Sequence, residues 1–281
     1  MKPRFSQSLV LIRGAGDLGT GVAVRLYRAG FPVVMTDLPA PLVVRRSVAF
    51  AEAIPQLQYT VEGITGVRVE RGADCLPCLE SGSIPVAADP DGRLLRELKP
   101  AVVVDAVMAK RNTGTRILDA PVVIALGPGF TAGVDCHAVI ETKRGHTLGR
   151  ALYAGFAAAD TGIPGEVGGA TVERLLRAPA PGLFYSRVQL GETVAPGQVI
   201  GVIEPSGEPV AAVIGGLLRG LLRDGVRVCA GTKIGDVGPV AEPDHLYLVS
   251  EKALAIGGGV LEAILHLGGL PSCRSVSTTG S

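Results

Sequence analysis

The stretch Ser8-Leu9-Val10-Leu11-Ile12-Arg13-Gly14-Ala15-Gly16-Asp17-Leu18-Gly19 decides the fold. Ser8–Arg13 reads as a strand, and it runs into Gly14-x-Gly16-x-x-Gly19. Asp17–Ala29 reads as the helix that leaves the loop, stopped by Gly30, and Pro32–Thr36 as a second strand with Asp37 at its end. In that context each glycine has a task. Gly14 permits the tight turn, Gly16 lets backbone approach a pyrophosphate, and Gly19 lets helix pack on strand. The helix N-terminus, next to Asp17 and Leu18, offers free N–H groups and a positive dipole end to an anion. Asp37 is placed to accept from a ribose 2′-hydroxyl and to repel a 2′-phosphate.

Further on, Arg45–Ile54 looks helical, and Tyr59–Glu70 alternates as two small strands would. Strands are expected at Ile84–Ala88, Ala101–Val107 and Pro121–Leu126, with a helix at Gly92–Leu98 and a turn at Thr113–Asp119. Alternating strands and helices imply a parallel sheet covered on both faces. After Gly127-Pro128-Gly129, Asp135–Glu141 reads as one more strand, Leu148–Ala159 as a short helix, and Thr161–Gly169 as a Gly- and Pro-rich loop. The expected fold is therefore α/β, with a Rossmann-like nucleotide-binding unit over 1–145 and a helical linker over 146–180.

From Gly182 the sequence repeats with a period of 34: Gly182-Leu183 matches Gly216-Leu217, and Gly191, Val194, Gly197, Ile200 and Gly201 match Gly225, Val228, Gly231, Ile234 and Gly235. Two copies are too few for a solenoid. They suggest a pseudo-twofold β domain over 181–240, similar to the barrel-sandwich hybrid of biotinyl and lipoyl domains. A swinging arm needs a lysine at a hairpin tip, yet Val188 to Thr232 contains none. Residues 241–281 read as a helix, Ala253–Leu265, and a disordered tail.

Lys plus Arg is 27 and Asp plus Glu is 26, which speaks against nucleic acid or an anionic membrane as a general partner. Mean hydropathy is +0.37, yet no apolar run reaches the roughly 18–20 residues of a membrane span. The charged start Met1-Lys2-Pro3-Arg4 precedes no long apolar region or cleavage site, so the expected location is cytoplasmic. Five cysteines without a framework spacing suggest reduced thiols.

Other residues carry candidate chemistry. Lys110 and Arg111 follow one strand and Gly127 and Gly129 another, where open α/β sheets bind ligands; the cations suit an anionic cofactor. His137, Glu141 and His146 match no zinc spacing, and no metal is expected. Cys75 and Cys78 form a C-x-x-C pair that could be an activated dithiol, although Pro77 would interrupt a helix there.

Several stretches, in order, resemble one family: Ile12–Gly21, Arg45–Ala53, Val61–Gly63, Asp105–Asn112, Gly127–Gly133, Glu141-Thr142 with Arg144–Arg150, Leu218–Leu221 and Gly257–Glu262. They resemble the YqeB-type accessory proteins of selenium-dependent molybdenum hydroxylase systems. The chain departs from that pattern at Gly238-Pro239-Val240, where an acidic-Pro-Arg turn is expected. The resemblance implies a maturation role: binding molybdenum cofactor, or its dinucleotide form, for insertion into an apo-hydroxylase or for work on a selenium ligand. It supplies no catalytic residues. Two other functions remain open. One is an NAD-dependent oxidoreductase, for which only Asp105, Lys110 and His146 stand as acid or base candidates. The other is a non-catalytic adaptor that docks through its β domain. A homo-oligomer is compatible with all three.

Overall fold

The structure is a computed structural model that describes residues 8–160, 162, 169–239 and 242–268. The expected tail, most of the Gly- and Pro-rich stretch 161–169, and Val240 lie outside the described residues.

The strands of the first half are β1 Val10–Arg13, β2 Val33–Asp37, β3 Gln58–Val61, β4 Ile64–Arg68, β5 Ile84–Ala88, β6 Val102–Asp105, β7 Val122–Leu126, β8 Thr131–Ala132, β9 Ala138–Ile140, β10 Ala151–Leu152 and β11 Gly155–Phe156. The helices are α1 Asp17–Arg28, α2 Ala53–Gln56, α3 Gly72–Glu80, α4 Arg93–Leu98 and, at the far end of the chain, α5 Glu251–Gly268. Nine strands form one sheet in the order β10-β9-β7-β6-β1-β2-β5-β4-β3, parallel from β9 to β4 and antiparallel at both edges. The chain moves outward on one side of β1 through β2 and on the other through β6. The β1/β6 boundary is thus a switch point, and the loops after β1 and β6 flank a crevice there.

The apolar runs explain this sheet. Val10, Ile12, Val33, Met35, Val102 and Val104 face one buried cluster, which α1 and α5 complete. Leu11, Val34 and Val103, between them in sequence, face a second cluster with Cys75 and Leu94 of α3 and α4. Period-two side chains apolar on both faces are what a doubly covered parallel sheet requires.

The second half contains β12 Leu175–Arg177, β13 Gly182–Ser186, β14 Thr193–Val194, β15 Val199–Glu204, β16 Glu208–Ala211, β17 Gly216–Leu221, β18 Val226–Val228 and β19 Lys233–Gly238. They form two four-stranded sheets, β16-β15-β13-β18 and β12-β19-β17-β14. The 34-residue repeat is visible in the pairing. β15 begins at Val199 and β19 at Lys233, and β14 and β18 are exchanged, each pairing with the other copy's strand. Equivalent positions share one core: Phe184 and Leu218, Ile200 and Ile234, Ile203 and Val237 are all fully buried.

Four local expectations are corrected. Leu148–Ala159 is not a helix. β10 pairs with β9, β11 pairs with β8, and Gly149 and Gly155 take positive φ, so available strand edges override the helix preference of an alanine-rich run. The 146–180 stretch is therefore no helical linker: among its described residues, β12 completes the second small sheet as the counterpart of β16. Arg45–Ile54 is two 3-10 turns, Arg46–Val48 and Phe50–Glu52, followed by the short α2. Its backbone is drawn elsewhere, because Leu221 N–H donates to Val44 O at 2.8 Å and Ala51 N–H to Ala15 O at 2.9 Å. Pro77 does not interrupt α3, where it costs the turn one backbone donor.

α5 returns the chain to α1. A Cβ on Gly21 would lie 2.5 Å from Ala253 Cβ, and one on Gly257 would lie 2.8 Å from Gly21 O. Gly258, on the same helix, meets nothing within 4 Å. Gly21→Ala is expected to lower stability by about 1–3 kcal/mol through overpacking. Gly258→Ala is expected to raise it by about 0.5–1 kcal/mol through backbone entropy alone. Urea unfolding of the two variants checks the contrast; the same sign for both would contradict the close helix contact.

Candidate functional site

The glycine loop sits at the switch point with its three glycines in different surroundings. Gly14, at φ +98°, presses on β6: a Cβ there would lie 2.6 Å from Ala106 O. A Cβ on Gly19 would lie 2.0 Å from Gly14 O, so this residue sets the approach of α1 to the loop. Gly16 differs. A Cβ there would meet only Val43 Cγ2, at 3.7 Å. Gly14 and Gly19 are therefore demanded by packing, whereas Gly16 opens on a crevice of about 670 Å³. Leu18, Asp37, Asp89 and Val107 also line it, and Leu38 and Leu42 bring exposed apolar surface to it.

Asp37 holds the loop. Its Oδ2 accepts from Ala15 N–H at 2.7 Å and its Oδ1 from Leu38 N–H at 2.7 Å. Burial pushes the Asp37 carboxyl up, and these two backbone donors oppose the shift. Asp105, at the end of β6, is buried and committed: Oδ1 accepts from Val107 N–H at 3.0 Å, Oδ2 from Thr115 Oγ1, and Arg13 stands 3.6 Å away.

A second cleft of about 740 Å³ adjoins the first, and Asp17, Leu18, Arg45, Met108 and Lys233 line both. Its walls come from the loops after β2, β6, β7 and β9, from β17 and β19, and from the first turn of α5. Lys110 lies here and pairs with Asp160 at 2.7 Å. Arg144 pairs with Glu251. Asp236 is buried between Arg174 and Arg219, the latter at 2.9 Å. Burial works to raise the Asp236 carboxyl, but Lys233, Arg174 and Arg219 together hold it below the usual range. Arg45 Nη2 donates to the carbonyls of His245 and Leu248 at 3.3 and 3.4 Å, and its buried Nε finds no partner among the described residues.

Arg111, Gly127 and Gly129 line neither cleft. The two glycines make room for protein instead: a Cβ on Gly127 would lie 2.6 Å from Thr142 Oγ1, and one on Gly129 would lie 2.6 Å from Arg111 N. Glu141 clamps a loop by accepting from Lys143 and Ala158 N–H at 2.7 and 2.8 Å, and His137 Nδ1 accepts from Val123 N–H at 3.0 Å. His146 is exposed. Among the described residues no group of three His, Cys, Asp or Glu side chains gathers as for a metal. Cys75 and Cys78 are not an activated pair, since burial pushes both thiols up to about 11.

Sequence reading named Asp17, Leu18 and Lys110 of the second cleft and missed its other cations. Arg45, Arg219, Lys233 and Lys252 are far apart in the chain and share no motif. The only sequence signal was indirect: Arg45, Arg144 and Arg219 fall within the stretches that carried the family resemblance.

No family model matches the chain. It is 52% identical over 270 residues to a protein of Escherichia coli (strain K12) named "Uncharacterized protein YqeB", covering 95% of this chain and 49% of that protein. The chain thus spans about half the length of the curated relative it matches. Solved structures with distant likeness include a succinylglutamate desuccinylase/aspartoacylase from Rhodobacter sphaeroides, with 14% identity, coverage of 84% and 87% of the two chains, and a TM-score of 0.28. An aspartoacylase family protein from Mesorhizobium loti has 16% identity, the same coverages and a TM-score of 0.27. No helix among the described residues is long and apolar enough to cross a membrane.

Two expectations follow from the electrostatics. At pH 8 a thiol with a pKa of about 11 in place of 9.0 carries roughly a hundredfold less thiolate. Cys75 and Cys78 should therefore alkylate slowly with iodoacetamide, and mass-resolved rates matching a free cysteine peptide would refute this. Burial also pushes the Lys233 ammonium down from 10.5, so between its lowered value and 10.5 the unfolded chain binds more protons. Stability then rises with pH across that interval. Lys233→Met removes the buried charge and should melt higher than the native chain at pH 7, while Asp236 keeps Arg174 and Arg219.

Proposed function

We propose that this chain is a YqeB-type accessory protein that holds an anionic, nucleotide-type cofactor. The cofactor is molybdenum cofactor or its dinucleotide form, held for insertion into a molybdenum hydroxylase or for maturation of a selenium ligand. The observation that carries the binding half is Gly16. It caps α1 at a switch point in a doubly wound strand order, and its open face leaves room for a phosphate to reach the helix N-terminus. Those features support a Rossmann-like reading of the first unit, and the strand-exchanged repeat supports a barrel-sandwich-like reading of the second. The apolar surface of Leu38, Leu42 and Val107 suits the flat ring of a base or pterin. The recipient enzyme is inferred from the sequence resemblance alone.

The residues present suit such a cofactor. A pterin phosphate or dinucleotide would place its phosphates on the glycine loop, and the cations beyond Asp17 would face its charge. Of the acid and base candidates, Asp105 is buried in hydrogen bonds and Lys110 is paired with Asp160.

Asp37 favours a second reading, an NAD-dependent oxidoreductase, because a carboxylate at the end of β2 stands where a ribose hydroxyl would fall. Native mass spectrometry of protein from a host that makes molybdenum cofactor separates the two by the bound mass, pterin-type or NAD.

Gly16→Val is the sharp variant. Its side chain should fit the fold, because only Val43 Cγ2 is near, yet it should fill the crevice. Affinity for the bound cofactor is expected to fall about tenfold or more with Tm little changed. Unchanged binding would remove the loop from the site. In the cell, loss of this protein should leave the hydroxylase polypeptide made but inactive. Full activity per polypeptide, with full molybdenum and selenium content, would reject the maturation role.

A further inference from the structure

Among the described residues, the cleft beyond Asp17 contains more positive charge than its carboxylates balance. Asp160, Glu251 and Asp236 are already taken by Lys110, Arg144 and the Arg174–Arg219 pair. Among the described residues, Arg45, Lys233 and Lys252 line the same space without a carboxylate within ion-pair distance. Asp17 attracts all three but bridges to none of them. The Nε atoms of Arg45 and Arg219 are buried there without an acceptor. A partly buried cation with no counter-ion is costly, so such a cluster persists where something else supplies the negative charge. Burial lowers both lysines; Arg174 and Arg219 add to this for Lys233, against Asp236 and Asp17, and Arg144 and Lys233 add to it for Lys252, against Asp17 and Glu141. An anion would reverse every one of these penalties at once.

We infer that this cleft is a second anion subsite, taking a phosphate, pyrophosphate or similar multiply charged oxyanion between Arg45, Lys233 and Lys252. The first turn of α5 borders it as well, with Ser250 Oγ accepting from Ala253 N–H at 3.2 Å and the Glu251 carboxylate accepting from the Glu251 and Lys252 N–H groups. Because the walls of the two clefts share Asp17, Leu18 and Met108, one molecule can reach both. Its ligand then carries two anionic groups, one on the glycine loop and one in the basic cleft, with Asp17 between them. The claim of a single bridging molecule rests on the reading of the glycine loop given above; the subsite itself does not.

The subsite also sits on a junction. Arg45 belongs to the segment after β2, Lys233 to β19 of the small β domain, and Lys252 to α5. An anion held by all three ties three parts of the chain together, so occupancy should be read as thermal stabilisation as well as heat of binding.

The test titrates inorganic pyrophosphate by calorimetry at physiological ionic strength into the native chain, Lys233→Met/Lys252→Met, Lys233→Arg/Lys252→Arg and Gly16→Val. The double Met variant is expected to lose about tenfold or more in affinity at the basic cleft, the double Arg variant to recover most of it, and Gly16→Val to keep that lysine-dependent binding while losing any pyrophosphate held at the glycine loop. Circular dichroism verifies that each variant is folded. No heat with the native chain at millimolar pyrophosphate would overturn the subsite, as would equal binding by the double Met variant. Loss confined to Gly16→Val would also overturn it, by moving the anion to the loop, and would leave the nucleotide reading standing. Lysine-dependent pyrophosphate binding, together with cofactor binding indifferent to Gly16→Val, would uphold the subsite and sink the nucleotide reading instead.

Discussion

Two helices from opposite ends of the chain meet backbone to backbone, and the candidate site exists because they do. α1 leaves the glycine loop and α5 closes the described chain, and at Gly21 and Gly257 neither leaves space for a single added carbon. The small β domain lies between β11 and α5 in sequence, so this contact anchors its far end. Its near side is clamped by Val44–Ser47: Leu221 N–H donates to Val44 O, Arg46 Nε to Leu221 O at 2.7 Å, and Ser47 Oγ to Leu246 O at 2.6 Å. The walls of the basic cleft are brought together by that closure.

Charge is distributed against the composition. The whole chain has a formal net charge of +1, which excludes a generally basic surface. Folding nevertheless collects Arg45, Arg219, Lys233 and Lys252 around one space. Asp236 answers part of that charge and is itself buried, held ionised by three cations. Removing it would leave Arg219 without a carboxylate among the described residues in a poorly solvated place, a far larger loss than that of a surface ion pair. Arg45, Lys233 and Lys252 feel Asp17 and, at longer range, Asp236, Glu251 or Glu141, but among the described residues none of the three forms an ion pair.

Much of the first unit was legible. Strands with apolar residues on both faces can be read from runs such as Val102–Val104 and Val122–Leu126, because their burial is two-sided and needs no knowledge of the partner. The loop Gly14–Gly19 was legible because close approach leaves a mark that only glycine can make. The same mark misled at Gly127 and Gly129, whose missing side chains admit Thr142 and the Arg111 backbone. A glycine records that something comes near, and it does not say whether that is ligand or protein. β12 was illegible for a related reason. Its place as counterpart of β16 depends on pairing with β19, and Leu175–Arg177 shares no residue pattern with Pro209–Ala211.

By itself, then, the sequence determined what local periodicity and glycine placement can encode: a parallel sheet, a tight glycine loop after its first strand, and a doubled β unit from the 34-residue repeat. Tertiary structure alone decided which charges stand together. Arg45 is separated from Lys233 and Lys252 by most of the chain, and Coulomb interaction acts through space, so their common site appears only after α5 has docked on α1 and the small β domain has been clamped against the loop after β2.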